Sequence, residues 1–105
     1  MKYKKITNFD EVLEKSENER VIILKHSVTC PISANAKKEV DIFLEENDNI
    51  NIYLVVVQEQ REISNEIAER LKVKHESPQL LVIYHKKTIQ VLNHYDITQE
   101  NINLN

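Results

Sequence analysis

Glycine is missing altogether from these 105 residues, against an average usage of about 7%. Its absence excludes any Gly-rich phosphate cradle. Tight turns are left to Asn, Asp or Lys in strained conformations, or to turn types that need no positive φ. There is one cysteine, so no internal disulfide framework can form, which agrees with a cytosolic chain. No segment approaches the roughly 18 to 20 apolar residues of a membrane helix. The basic start Met1-Lys2-Tyr3-Lys4-Lys5 is followed by no apolar run of the kind a signal peptide needs. A cytoplasmic protein without a membrane partner is expected. A basic excess is also lacking: 14 Lys and Arg face 17 Asp and Glu, for a net charge of -3, which argues against nucleic acid. Lys4-Lys5 and Lys86-Lys87 are too short to act as basic tracts. The histidines at 26, 75, 85 and 94 show no ligand spacing, and with a single Cys no metal site is expected.

What is present is the composition of a folding chain, 41% hydrophobic and 30% charged. Without repeat or linker, residues 1–105 read as a single domain. Tyr3 to Ile6 suits a short edge strand. Asn8 opens a helix with Glu11 in a capping-box position and Phe9, Val12 and Leu13 on one face. Val21-Ile22-Ile23-Leu24 reads as a strand buried on both faces. Ile32, Ala36, Val40, Phe43 and Leu44 mark a long helix, which Asn47-Asp48-Asn49 stops. Ile50 to Val57 is a second buried strand, and a helix follows from about Ser64 with Ile63, Ile67, Ala68 and Leu71 inward. Leu80 to Tyr84 is a third strand, with His85-Lys86-Lys87 as a turn and Thr88 to Asn93 pairing back. Asp96 to Leu104 adds a last helix. The order predicts an α/β fold with a central mixed sheet flanked by helices.

The chemistry rests on Cys30. A thiol attacks disulfides only as the thiolate, and at a pKa near 8.5 only about 3% is ionised at pH 7. Pro31 sits where a helix tolerates proline, in the first turn, which puts Cys30 at or beside the N-cap. There the free amides and the positive end of the dipole favour the thiolate. Ser33, three residues on, is placed to donate to the sulfur, and Lys25 and His26 are candidates for added positive potential. On residue type alone a free cysteine is a small apolar filler. Its strand-to-helix junction reverses that reading, because α/β sheets place ligands at their carboxyl edge.

Strand, Cys-x-x-Ser at a helix start, a further strand and helix, then Ser77-Pro78 before a hairpin resembles the thioredoxin superfamily. There a cis-proline loop faces the reactive cysteine and receives the substrate backbone. Thr29-Cys30-Pro31-Ile32-Ser33, with His94-Tyr95-Asp96-Ile97-Thr98 near the end, is similar more particularly to the monothiol bacilliredoxins of bacillithiol-using Firmicutes. The resemblance spans essentially the whole chain. It implies a thioredoxin-like fold and an enzyme that reverses mixed disulfides between proteins and bacillithiol. Cys30 would be the catalytic residue, with Thr29, Pro31, Ile32, Ser33, Ser77 and Pro78 stabilising the thiolate or binding substrate. No bound cofactor is implied. The resemblance further implies bacillithiol as the thiol co-substrate, bacillithiolated proteins as partners, and bacillithiol or a partner reductase to restore Cys30.

Ser33 replaces the second cysteine of ordinary thioredoxins, so the chain has no internal resolving thiol and a monothiol exchange remains. Three other readings use the same thiol. A non-catalytic redox-sensing or stress protein would be thiolated at Cys30 without turnover. An iron–sulfur carrier of the monothiol glutaredoxin type would have Gly and Phe between Cys and Ser, where this chain has Pro and Ile. A peroxiredoxin is loosely echoed by Ser27-Val28-Thr29-Cys30, but the chain is short for that fold.

Overall fold

A computed structural model describes residues 3–105. Met1 and Lys2, the start of the basic N-terminal stretch, lie outside the described residues. Five strands, β1 (Tyr3–Lys4), β2 (Val21–His26), β3 (Asn51–Val56), β4 (Gln79–Tyr84) and β5 (Lys87–Asn93), form one sheet in the order β1-β3-β2-β4-β5. β1, β3 and β2 run parallel, whereas β4 and β5 join antiparallel. The helices are α1 (Phe9–Lys15), α2 (Pro31–Glu46) and α3 (Arg61–Leu71).

The sheet is covered on both sides because its central strands alternate between two apolar clusters. Val21, Ile23, Val55, Leu81 and Ile83 point to the face packed by Phe9, Val12 and Leu13 of α1 and Ile67 of α3. Ile22, Leu24, Ile52, Leu80 and Val82 point to the face packed by Ala36, Val40 and Leu44 of α2, with Ile97 and Ile102. A period-2 strand with both sets buried reads as a continuous apolar run, which is why β2, β3 and β4 were legible. Asn8 caps α1 by accepting from the Asp10 amide at 2.9 Å, one position short of the capping-box partner.

Four expectations need correction. β1 ends at Lys4 rather than Ile6: the Ile6 side chain turns into the α1/α3 cluster, and Gln60 Nε2 donates to its carbonyl at 2.7 Å. β2 runs on past Leu24 to His26, taking Lys25 into the interior. α3 starts at Arg61, a turn ahead of Ser64, because the Gln60 carbonyl accepts the Ser64 amide at 2.9 Å. No helix spans Asp96 to Leu104. A 3₁₀ turn at His94–Asp96 leads into irregular chain, where Asn and Gln side chains satisfy the backbone: Gln90 Nε2 donates to Asn101 O and Asn103 N donates to Gln90 Oε1. Ile97 and Ile102 are both buried five residues apart, which one helical face does not provide.

Without glycine, positive φ falls on Lys72 (56°), His85 (54°), Lys86 (63°) and His94 (51°). His85 and Lys86 form a two-residue hairpin loop between paired Tyr84 and Lys87, as in a type I′ turn. Ser16 holds it: its carbonyl accepts the His85 amide at 2.7 Å and its Oγ accepts the Lys86 amide at 3.0 Å.

Candidate active site

The site lies where β2 and β3 end and β4 begins. Lys25 of β2 pairs with Gln79 of β4, so Pro78 stands at the carboxyl end of β2, the edge from which α2 departs. The Ser77–Pro78 bond is cis, as the resemblance to the thioredoxin superfamily implies. The Pro78 carbonyl accepts the His94 amide at 2.9 Å. Three segments therefore meet at one edge: the 27–33 turn, the 77–79 strand entry and the loop at 93–95.

Cys30 occupies the N-cap of α2 in extended conformation (φ -110°, ψ 120°), with Pro31 in the first turn. Its thiol is free and only half-buried. The neutral thiol makes no capping bond, but the first-turn donors favour its ionised form. The Ser33 amide lowers the Cys30 pKa most; partial desolvation opposes it, and the Ile32 amide and Ser33 hydroxyl lower it further. Ser33 itself is fully buried. Its Oγ accepts the Ser27 amide at 3.2 Å, which leaves the single hydroxyl proton free to point at sulfur.

The neighbouring turn is braced by a residue that sequence reasoning missed. Gln58, just beyond β3, donates through Nε2 to Ser27 Oγ at 2.7 Å and Thr29 Oγ1 at 3.3 Å, while its Oε1 accepts the Val28 amide at 3.3 Å. Its place at the carboxyl edge beside β2 was legible, but the reach of its side chain was not. Thr29 thus serves the turn; its hydroxyl pairs with Ser27 and Gln58, not with sulfur. Pro31 is exposed, Ile32 and Ser77 are half-buried, and Pro78 is buried. Ser77 Oγ is shielded from solvent and has no hydrogen-bond partner.

The expected help from Lys25 and His26 is not found. Burial, then the Lys37 charge, lowers the His26 pKa, and the Ser33 backbone only partly offsets this, so the imidazole is neutral at pH 7. Lys25 lies on the α1/α3 side, with its ammonium on Ser64 O and His75 Nδ1, both at 3.0 Å. The thiolate rests on helix-terminal donors rather than on cations. Among the described residues no group of three or more His, Cys, Asp or Glu converges as a metal site would require, and no helix is long and apolar enough to cross a membrane.

A mixed five-stranded sheet with a cysteine N-capping α2 and a cis-proline at the adjoining strand entry defines a thioredoxin-fold thiol redox protein. Known structures agree. One described as a candidate oxidoreductase with a thioredoxin fold is 37% identical, with a TM-score of 0.85 over 95% of this chain and 89% of that one. Thioredoxins of Plasmodium falciparum (15% identity, TM-score 0.70, 94% and 89% covered) and Malassezia sympodialis (18%, 0.64, 90% and 80%) share the fold. The family model of the monothiol bacilliredoxin BrxC matches residues 1–102, and the chain belongs to that family.

Proposed function

We propose that this chain is a cytoplasmic monothiol oxidoreductase that removes bacillithiol from protein mixed disulfides through Cys30. The observation that carries the reading is the Cys30 sulfur at the α2 N-cap, with the Ser33 amide and hydroxyl favouring its thiolate and no second thiol in the chain. The thiolate attacks the bacillithiol sulfur of the mixed disulfide. One S–S bond breaks and one forms, the protein leaves as a thiolate that takes a proton from water, and Cys30 holds bacillithiol. A second thiolate, from bacillithiol or a partner reductase, attacks that adduct and returns Cys30. No bound cofactor takes part, and the bacillithiol-using Firmicutes are the expected hosts. Exposed Val28 (63%) and Tyr95 (74%) flank the site on the 27–33 turn and the 93–95 loop, apolar surface suited to a protein substrate.

The test is intact-mass analysis of a bacillithiolated protein mixed with the reduced chain. Loss of the adduct from the substrate and its gain by this chain are expected, and Cys30→Ser should abolish both. Addition of free bacillithiol should then allow many substrate molecules to be cleared per chain. One transfer without turnover would indicate a thiolated sensor instead, and no transfer would refute the reading.

A further inference from the structure

Among the described residues five polar ones are buried: Ser16, Lys25, Ser33, Ser64 and Gln79. Ser16 holds the hairpin and Ser33 the sulfur. The other three converge on the segment between α3 and β4. Lys25 is 0% exposed, and neither of its hydrogen-bond partners is a carboxylate, although lysine is almost never fully buried unless paired. Its Nζ donates to Ser64 O and His75 Nδ1. An ammonium has no lone pair, so His75 Nδ1 must accept, which fixes a neutral ring carrying its proton on Nε2. Ser64 Oγ, 3.2 Å from the same nitrogen, is a second donor.

Gln79, paired with Lys25 across the β2–β4 ladder, holds the same segment from its other side. Its Nε2 donates to Lys74 O and Asn93 Oδ1, both at 2.9 Å. The Lys74 carbonyl can only accept, which sets the amide orientation. Glu76 meets His94 Nε2 at 3.2 Å, and Pro78 O takes the His94 amide. Residues 74 to 78 are thus tied down at four points, and Lys25 is the one buried charge among them.

We propose that Lys25 is a positioning residue: its buried ammonium, through His75 and beside Gln79, fixes the 73–78 segment in the conformation that presents Ser77–Pro78 to the disulfide Cys30 attacks. This rests on the thiol-exchange reading above. Leucine or methionine would fill the β2 position without desolvating a charge, so a role beyond packing accounts for the lysine. Lys25 touches neither sulfur nor substrate; it acts by holding a loop.

Lys25→Met, His75→Ala and the double variant test this, with Lys25→Gln, which keeps an N–H donor, as the conservative partner. Amide hydrogen exchange in 73–77 should quicken about tenfold in Lys25→Met and His75→Ala, no further in the double variant, and less in Lys25→Gln. Cys30 alkylation by iodoacetamide should stay within twofold of wild type. The rate of exchange with a bacillithiolated protein should fall about tenfold, while that with oxidised bacillithiol holds. Unchanged loop exchange in Lys25→Met would overturn the proposal. So would an equal fall in alkylation and in both exchange reactions, since Lys25 would then act on the thiolate. If Lys25→Met does not fold, His75→Ala and Lys25→Gln decide by the same readings. Wild type that exchanges with no bacillithiol disulfide defeats the thiol-exchange reading, whereas the loop measurement still judges Lys25.

Discussion

The buried ammonium has a stability signature that can be worked out in advance. Burial lowers the Lys25 pKa from 10.5 to about 8, and at 1.36 kcal/mol per pH unit this disfavours the folded state by roughly 3 kcal/mol while the group is charged. For a base with a lowered folded pKa the unfolded chain binds more protons, so stability rises with pH between the two values. The penalty is complete below about 8 and fades as pH climbs toward 10.5. Lys25→Met removes the charge without orphaning its partners, because Ser64 Oγ can donate to His75 Nδ1 and Ser64 O lies within α3. Against this gain stands the loss of two charge-assisted hydrogen bonds. Urea unfolding followed by circular dichroism should find Lys25→Met more stable than wild type by about 1 to 3 kcal/mol at pH 7. The gap should narrow steadily as pH rises from 8 toward 10.5. Cys30 contributes a slope of the same sign, but equally in both proteins. A gap independent of pH, or a variant less stable than wild type at pH 7, refutes the reasoning.

Three further outcomes are expected. The rate of Cys30 alkylation against pH should inflect below an ordinary thiol, and Ser33→Ala should move the inflection upward by removing the hydroxyl donor while keeping the amide; an inflection at or above about 8.5 in wild type would contradict the first-turn assignment. Ser33→Cys should form a disulfide with Cys30 and expel a captured bacillithiol, so intact mass after oxidised bacillithiol should show two hydrogens lost and no adduct, where wild type holds one adduct. Lys86→Gly should raise the unfolding free energy measured in urea by roughly 1 kcal/mol, because a φ of 63° strains any residue with a Cβ and the exposed Lys86–Glu17 pair lost with the side chain contributes little.

The parts of the fold legible in the sequence were those in which one periodicity dominated. Unbroken Ile, Val and Leu runs can only be strands buried on both faces here, and the Ile32–Leu44 stripe can only be a helix over the sheet. Reading failed where polar side chains took over the work of the backbone. The Gln60 carbonyl starts α3 inside a charged stretch that resembles solvated surface, and Gln90 with Asn101 and Asn103 replaces the expected C-terminal helix. The positions of Cys30, Pro31 and Ser33 were legible because they sit at a helix start, where capping geometry settles place, and the cis bond before Pro78 came with the resemblance to the thioredoxin superfamily. Gln58 was not legible, and Lys25 was read as a charge near the thiol rather than as a buried ammonium on the other side of the sheet. A lysine after four apolar residues looks like the end of a strand, and only the α3 packing and the loop above it show that β2 continues and carries the ammonium inward.

The exchange of a thiol for a hydroxyl at position 33 changes the kinetics more than the electrostatics. A serine hydroxyl can donate to the Cys30 sulfur as a thiol would, and more strongly, since S–H is the weaker donor. The Ser27 amide on Ser33 Oγ directs that donation. Thiolate stabilisation is therefore kept while the internal resolving nucleophile is lost. On the proposed exchange, a Cys30 mixed disulfide would wait for a thiol from solution, and turnover would scale with the concentration of that thiol. An ordinary two-cysteine site expels its substrate at a rate independent of any third reactant. Under oxidising stress, when free thiol falls, this chain should accumulate as the adduct and stop. Varying the bacillithiol concentration at saturating substrate separates the cases: wild type should show a first-order dependence of turnover on bacillithiol with a zero intercept. A finite intercept would mean that Cys30 is released by something within the chain, and the assignment of Ser33 as a donor without a resolving role would fail.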